Sequence, residues 1–494
     1  MNTKYIWLLV TFIAFAACNN DDDSAGNTPE PLPALTAGTA DFSNYVAVGN
    51  SLTAGYTDKG LFIAGQQNSI PNILAQKFAL VGGGNFSIPF MSDNTGGVLL
   101  GGTQIVGNRL VFNGSAPVPL EDLIGPVTPT TDLAVNNPTG PFNNMGVPGA
   151  KSFHLLFNGY GSTAGLLTVP PTANPYFVRM ASSPTATVLG DAMAQNPSFF
   201  SLWAGNNDVL GYALSGGDGT DPITDQSTFE FAFGTLVSTL TSGGAQGVVA
   251  NIPYINSLPH FTTVPYNAVP LDAATAAQLN AAFAAYNGGL QYVVDNTPYL
   301  TQEEADRRMV NFVEGQNAVL ILDEDLTDLT GVDPALTNMR QATEDDLLVL
   351  SSSSFIGTVV GGNPQFINGV SVPLEDKWVL IPSEQAEIKA AVDSFNAVIK
   401  NSVETAGLAF LDANALMNQL ASSGLPSGDF ILTAALVRGG AFSLDGVHPT
   451  ARGNAVLANE FLKAIDVQYG SNFEASGNLL DAGDFPTSYP ATLQ

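Results

Sequence analysis

Three histidines are the only side chains in this 494-residue sequence whose ordinary pKa lies near neutrality, so general-base chemistry has few places to sit. His448 stands in SLDGVHPT, three residues after Asp445 and directly before a proline. A tight turn at that spacing lets a carboxylate hold one imidazole nitrogen while the other faces a nucleophile. Far upstream, in YVAVGNSLTAGY, an apolar run of strand-forming residues stops at Gly49, and Ser51 follows where the chain begins to turn. A serine hydroxyl alone is a poor nucleophile. With a base, an orienting carboxylate and oxyanion donors it performs acyl transfer. His154, in AKSFHLLF among apolar residues, reads as a core or helix-surface histidine. His260 follows the run NIPYINSLP in a loop bordering the site, where it serves a structural role or touches substrate.

In chain order, GNSL at Gly49 to Leu52, a glycine in NNMGVPGAKS, GNND at Gly205 to Asp208 and DGVH at Asp445 to His448 resemble the four blocks of the SGNH/GDSL hydrolases. The resemblance implies Ser51 as nucleophile, with Asp445 and His448 completing a catalytic triad. It implies an oxyanion hole from the N–H groups of Ser51 and Gly149 and the side-chain amide of Asn207. Gly149 is preferred to Gly146 because Asn144 to Gly149 matches the asparagine-to-glycine spacing of the second block. Two departures stand out. The family usually has Asp before the serine, where this chain has Asn50. The spacing is also long: 149 − 51 = 98 residues between the first two blocks and 445 − 208 = 237 between the last two.

Strand-like and helix-like runs alternate, the pattern of a parallel sheet with crossover helices. Strands are expected at Tyr45 to Val48, Phe199 to Trp203, Val248 to Ile255 and Leu408 to Leu411. Helices are expected at Phe229 to Leu240, Ser383 to Ala406 and Ala451 to Ile465. Together with the resemblance this gives an α/β fold, a three-layer α/β/α sandwich with a mostly parallel, flavodoxin-like central sheet. Residues 61–135 and 261–377 fit the rhythm poorly and read as two large insertions within a hydrolase domain spanning 41–470. The polar tail, 471–494, is expected to pack loosely on the surface.

Charge narrows the partners. The chain carries 44 acidic and 15 basic residues, a net charge of −29, which repels nucleic-acid backbones. Residues 1–17 hold Lys4, an apolar stretch and Ala16-Ala17, followed by Cys18, the only cysteine, so no intrachain disulfide is possible. That arrangement resembles a bacterial lipoprotein signal, with Cys18 lipidated after cleavage and 18–40 as an acidic Pro/Gly-rich tether. Asp21-Asp22-Asp23 resembles a sorting signal of surface lipoproteins, so the expected location is the outer membrane, held by lipid. Asp218, Asp221 and Asp225 are spaced like calcium ligands but read as an acidic surface turn, as does the stretch near Asp323.

The expected function is hydrolysis of a carboxylic ester through an acyl-enzyme, without metal or cofactor, on a small-molecule, lipid or glycan ester. The competing expectation is a non-catalytic surface lipoprotein that binds glycan or a protein partner through its insertions.

Overall fold

The computed structural model describes residues 31–493. The expected signal segment, Cys18 and the tether up to residue 30 lie outside the described residues. The central sheet has five parallel strands: β1 (Tyr45–Gly49), β2 (Asn144–Gly146), β3 (Phe199–Trp203), β4 (Gln246–Ala250) and β5 (Ala409–Leu411), in spatial order β5-β4-β3-β1-β2. Around it run helices α1 (Ser51–Ala54), α2 (Ile70–Ala79), α3 (Val188–Met193), α4 (Asn207–Leu214), α5 (Gln226–Thr241), α6 (Pro382–Ala406), α7 (Ala413–Ser422) and α8 (Ala451–Tyr469).

Every residue of β1 and β3 is buried. Side chains alternate between faces along a strand, and here both faces are covered, so the strands read as unbroken apolar runs. Val46, Val48, Phe200, Leu202 and Val249 pack with residues of α3, α5 and α6. Tyr45, Ala47, Phe199, Val248 and Ala250 pack with residues of α2 and α8 on the opposite face. Phe199 and Phe200 are wholly inaccessible, and truncating either to Ala would cost about 3–5 kcal/mol.

Three expectations need correcting. The region 61–135 is not wholly an insertion, because Ile73, Leu74 and Phe78 of α2 belong to the sheet's own core. Pro71 sits in the first turn of α2, where its missing N–H costs nothing and its fixed φ suits the helix start. The expected strand from Val248 to Ile255 ends at Ala250, since the chain turns at Asn251-Ile252-Pro253. The tail is not loosely packed. Phe473 is fully buried beside Phe42 and Phe78, and Arg109, also fully buried, donates to the carbonyls of Pro490 (2.8 Å) and Leu493 (2.9 Å). The end of the expected tether is fastened too, as Thr39 N–H donates to Tyr469 O at 2.8 Å.

The region 261–377 builds apolar cores of its own. One groups Phe283, Tyr286 and Leu290 of the helix Ala273–Asn296 with Phe312, Leu320 and Met339. Another groups Val319, Ile321, Leu374 and Val379. Its strands pair as short antiparallel ladders, such as Leu320–Leu322 with Met339–Gln341, apart from the central sheet. Among the described residues no helix is long and apolar enough to cross a membrane.

Candidate active site

Ser51 is the first residue of α1, directly beyond the end of β1. Asn50 caps that helix, its Oδ1 accepting the Leu52 N–H at 3.1 Å, while its Nδ2 donates to Asn206 Oδ1 at 3.0 Å. The short helix lies almost on the neighbouring strand. A Cβ at Gly146 would come within 2.3 Å of Ala54 N, so only glycine lets β2 pass there.

The His448 imidazole meets the serine. Asp445 Oδ2 accepts a hydrogen bond from Nδ1–H at 2.9 Å, which leaves Nε2 free to accept the Ser51 hydroxyl at 2.8 Å. Asp445 also organises its own turn, Oδ1 accepting the N–H groups of Val447 (2.9 Å) and His448 (2.8 Å). Burial pushes its pKa upward, but the facing imidazole and these N–H donors outweigh it and hold the carboxyl well below its usual range. Thr450 then caps α8, with Oγ1 accepting the Gly453 N–H, so His448 is delivered from just ahead of a helix start.

Asn207 opens α4 after β3, and Gly149 lies on the turn after β2 with φ 78°. The two are tied together: Asn207 Nδ2 donates to Ala150 O at 2.9 Å, leaving its second N–H available. Asp208, wholly buried, accepts from Ser152 N–H at 2.8 Å and from Ser152 Oγ–H at 2.7 Å, which locks that turn to the start of α4. The sequence-predicted residues Ser51, Asp445 and His448 therefore form one hydrogen-bonded chain. Asn207 lines the same cavity, and Gly149 stands beside the carbonyl that Asn207 holds.

The other two histidines stand outside this hydrogen-bonded chain. His154 Nδ1 accepts the Lys151 N–H at 3.1 Å, and its ring stacks on Tyr160. Burial and the nearby Lys151 charge push its pKa down to about 4. His260 lies not in a loop but on the one-turn helix Pro259–Thr262, and its Nδ1 is 3.1 Å from Asp445 O. It braces the Asp445–His448 turn. The three aspartates of the acidic loop are committed locally: Asp218 accepts from Thr220 Oγ1–H, Asp221 pairs with Lys151 at 2.6 Å, and Asp225 caps α5.

Compared with family models, curated proteins and solved structures, this chain matches none.

Two parts of the site escaped the sequence reading. The first is a strap at residues 57–60. Lys59 N–H donates to Asp445 Oδ2 (2.9 Å), Asp58 N–H to Ser443 Oγ (3.0 Å), and Asp58 Oδ1 accepts the Leu444 N–H (3.0 Å). Asp58 and Lys59 adopt φ of 50° and 61°, a backbone state their side chains do not announce. Burial raises Asp58 to about 7. The second is a cavity of about 90 Å³ running from Ser51 and His448 between α7, α8 and the hairpin Leu425–Leu432. Ile252, Leu416, Met417, Leu432 and Phe442 are among its walls. Those residues come from separate apolar segments, and no local pattern in the sequence joins them.

Proposed function

We propose that this protein is a serine hydrolase of the SGNH kind, cleaving carboxylic esters with an apolar acyl chain through a covalent acyl-enzyme. The observation that carries this reading is the unbroken line Asp445 Oδ2, His448 Nδ1, His448 Nε2, Ser51 Oγ, with contacts of 2.9 and 2.8 Å. The five-stranded parallel sheet, with helices packed on both faces, suits the three-layer sandwich of that family.

In the proposed mechanism Ser51 Oγ attacks the ester carbonyl as His448 Nε2 takes the hydroxyl proton. The free amide proton of Asn207 and the N–H groups of Ser51 and Gly149 bind the oxyanion. The carbon–oxygen bond to the leaving alcohol breaks, and His448 returns the proton to that alcohol. Water then adds to the acyl-serine with His448 as base, the acid leaves, and Ser51 regains its proton. Asp445 keeps Nδ1 protonated throughout and balances the imidazolium.

The apolar cavity favours a fatty acyl group over an acetyl group. A cavity needs roughly 10–15 Å³ to hold one water, so 90 Å³ has room for several methylene groups. Its walls offer sugar hydroxyls few partners, and unpaired polar groups are costly to bury. We also assign the enzyme a lipid anchor on Cys18 and an outer-membrane location, on the sequence resemblance alone.

The test is a fluorophosphonate probe together with a chain-length series of nitrophenyl esters and acetylated sugars. Labelling at Ser51, a preference for acyl chains of several carbons, and loss of both labelling and turnover in Ser51→Ala are expected. Turnover by Ser51→Ala at the native rate would refute the proposal.

A further inference from the structure

A second cluster of carboxylates lies far from Ser51 in sequence and is built differently. One carboxylate oxygen from each of Glu324, Asp376 and Glu384 lies within 4.8 Å of the others. Glu384, in the first turn of α6, is 4% exposed. Its Oε2 accepts the Ile381 N–H at 2.8 Å, while its Oε1, cut off from solvent, has no hydrogen-bond partner. A buried acceptor of that kind costs stability unless something fills its coordination.

The backbone around the cluster packs closely against it. The turn after α4 runs through Gly216 and Gly217, at φ 68° and 83°. A Cβ on Gly217 would lie 1.9 Å from Glu384 Oε1, and one on Gly216 would lie 2.2 Å from Asp376 O. Both glycines are therefore required for the chain to pass so close to the acidic groups. The neighbouring basic residue does not answer the charge, since Lys377 pairs with Glu375 at 2.5 Å.

We propose that Glu324, Asp376 and Glu384 bind a calcium ion that fastens the region 261–377 to the start of α6 and the turn after α4. All three donors are hard carboxylate oxygens, the ligands calcium takes, with backbone carbonyls and waters completing a shell of about six to eight. The orphaned Glu384 Oε1 gains a partner, and the repulsion among three acidic groups is relieved. The stakes for function come through α4, which begins with Asn207 and ends at this turn. The ion takes no part in the chemistry at Ser51, and the proposal stands whether or not the protein is an esterase.

The test uses the purified protein, stripped with EDTA and then titrated with calcium chloride or magnesium chloride. Bound metal is counted by elemental mass spectrometry and the melting temperature followed at each concentration. About one calcium per chain is expected, with a melting temperature that keeps rising as calcium increases, as a ligand of the native state alone requires. Glu384→Gln and Glu324→Gln should each weaken binding at least about tenfold and flatten that rise. Should Glu384→Gln fail to fold, Glu324→Gln, exposed at the rim, decides the matter. No calcium bound by the wild type, variants that bind as it does, or an equal response to magnesium would overturn the assignment.

Discussion

Buried carboxylates are handled in opposite ways at Asp445 and at Glu384. Asp445 is surrounded by donors: the His448 ring, three backbone N–H groups and the Ser443 hydroxyl at 3.1 Å. Glu384 has one backbone N–H and two acidic neighbours. The region 261–377 holds a third case, in which Arg340 spans Asp323 (2.5 Å) and Asp346 (2.6 Å) and pairs with both at once. A carboxylate meant to stay ionised is given cations and N–H groups at the outset. At Glu384 one buried oxygen is left with no hydrogen-bond partner from the chain.

The largest expected effect tests the fully satisfied case. Asp445→Asn should fold, because an amide oxygen still accepts from Val447 and His448. It would lower kcat on a nitrophenyl ester by about 10⁴, since the imidazole loses the partner that fixes its tautomer. A loss below tenfold would detach Asp445 from the mechanism.

Next comes the matched pair. Arg340→Leu strands Asp323 and Asp346 in a buried setting and should destabilise the protein by about 3–5 kcal/mol. Chemical denaturation measures it. A change under about 1 kcal/mol would mean that water reaches those carboxylates and that the contrast with Glu384 is not one of burial. Removing one oxyanion donor, Asn207→Ala, should lower kcat by about 10² to 10³ with KM little changed. An unchanged rate would assign that amide only its bond to Ala150 O.

His154 extends the contrast to a buried base. Its folded pKa of about 4 lies below the ordinary 6.5, so the unfolded chain takes up the proton first as pH falls. The stability owed to neutral His154 is complete above about pH 6.5 and drains away as the pH falls toward 4. Melting temperatures of His154→Gln should therefore fall less steeply than the wild type across that window. Parallel curves would remove the imidazole from the acid response.

Four of the five central strands and the Asp445–His448 turn were legible in the sequence because both depend on local signals, whereas β2 was not among the expected strands. A parallel strand buried on both faces is an apolar run, and a turn that positions an imidazole needs Asp, Gly and His within four residues. Helix α2 was missed because Pro71 and the surrounding glycines and asparagines read as loop. The tail was missed because its burial depends on Arg109, more than 350 residues away in the chain. The strap at Asp58 and the carboxylates around Glu384 were missed for the same reason. Their meaning lies in what folding brings beside them, which composition and periodicity do not carry.

The smallest expected effect concerns the residue before the serine. Asn50 accepts from Leu52 N–H and donates to Asn206, so replacing it with Asp keeps the first bond and removes the second. Asp and Asn cap helices almost equally well, and a negative charge at the start of α1 is mildly favourable. Asn206 can present its own NH₂ to the new carboxylate by rotating its amide half a turn. Asn50→Asp should therefore keep kcat/KM within about threefold and stability within about 1 kcal/mol. A hundredfold loss would show instead that a second carboxylate beside Ser51 competes with Asp445 for the imidazole. In that case Asn50 would be needed to keep this site at a single negative charge.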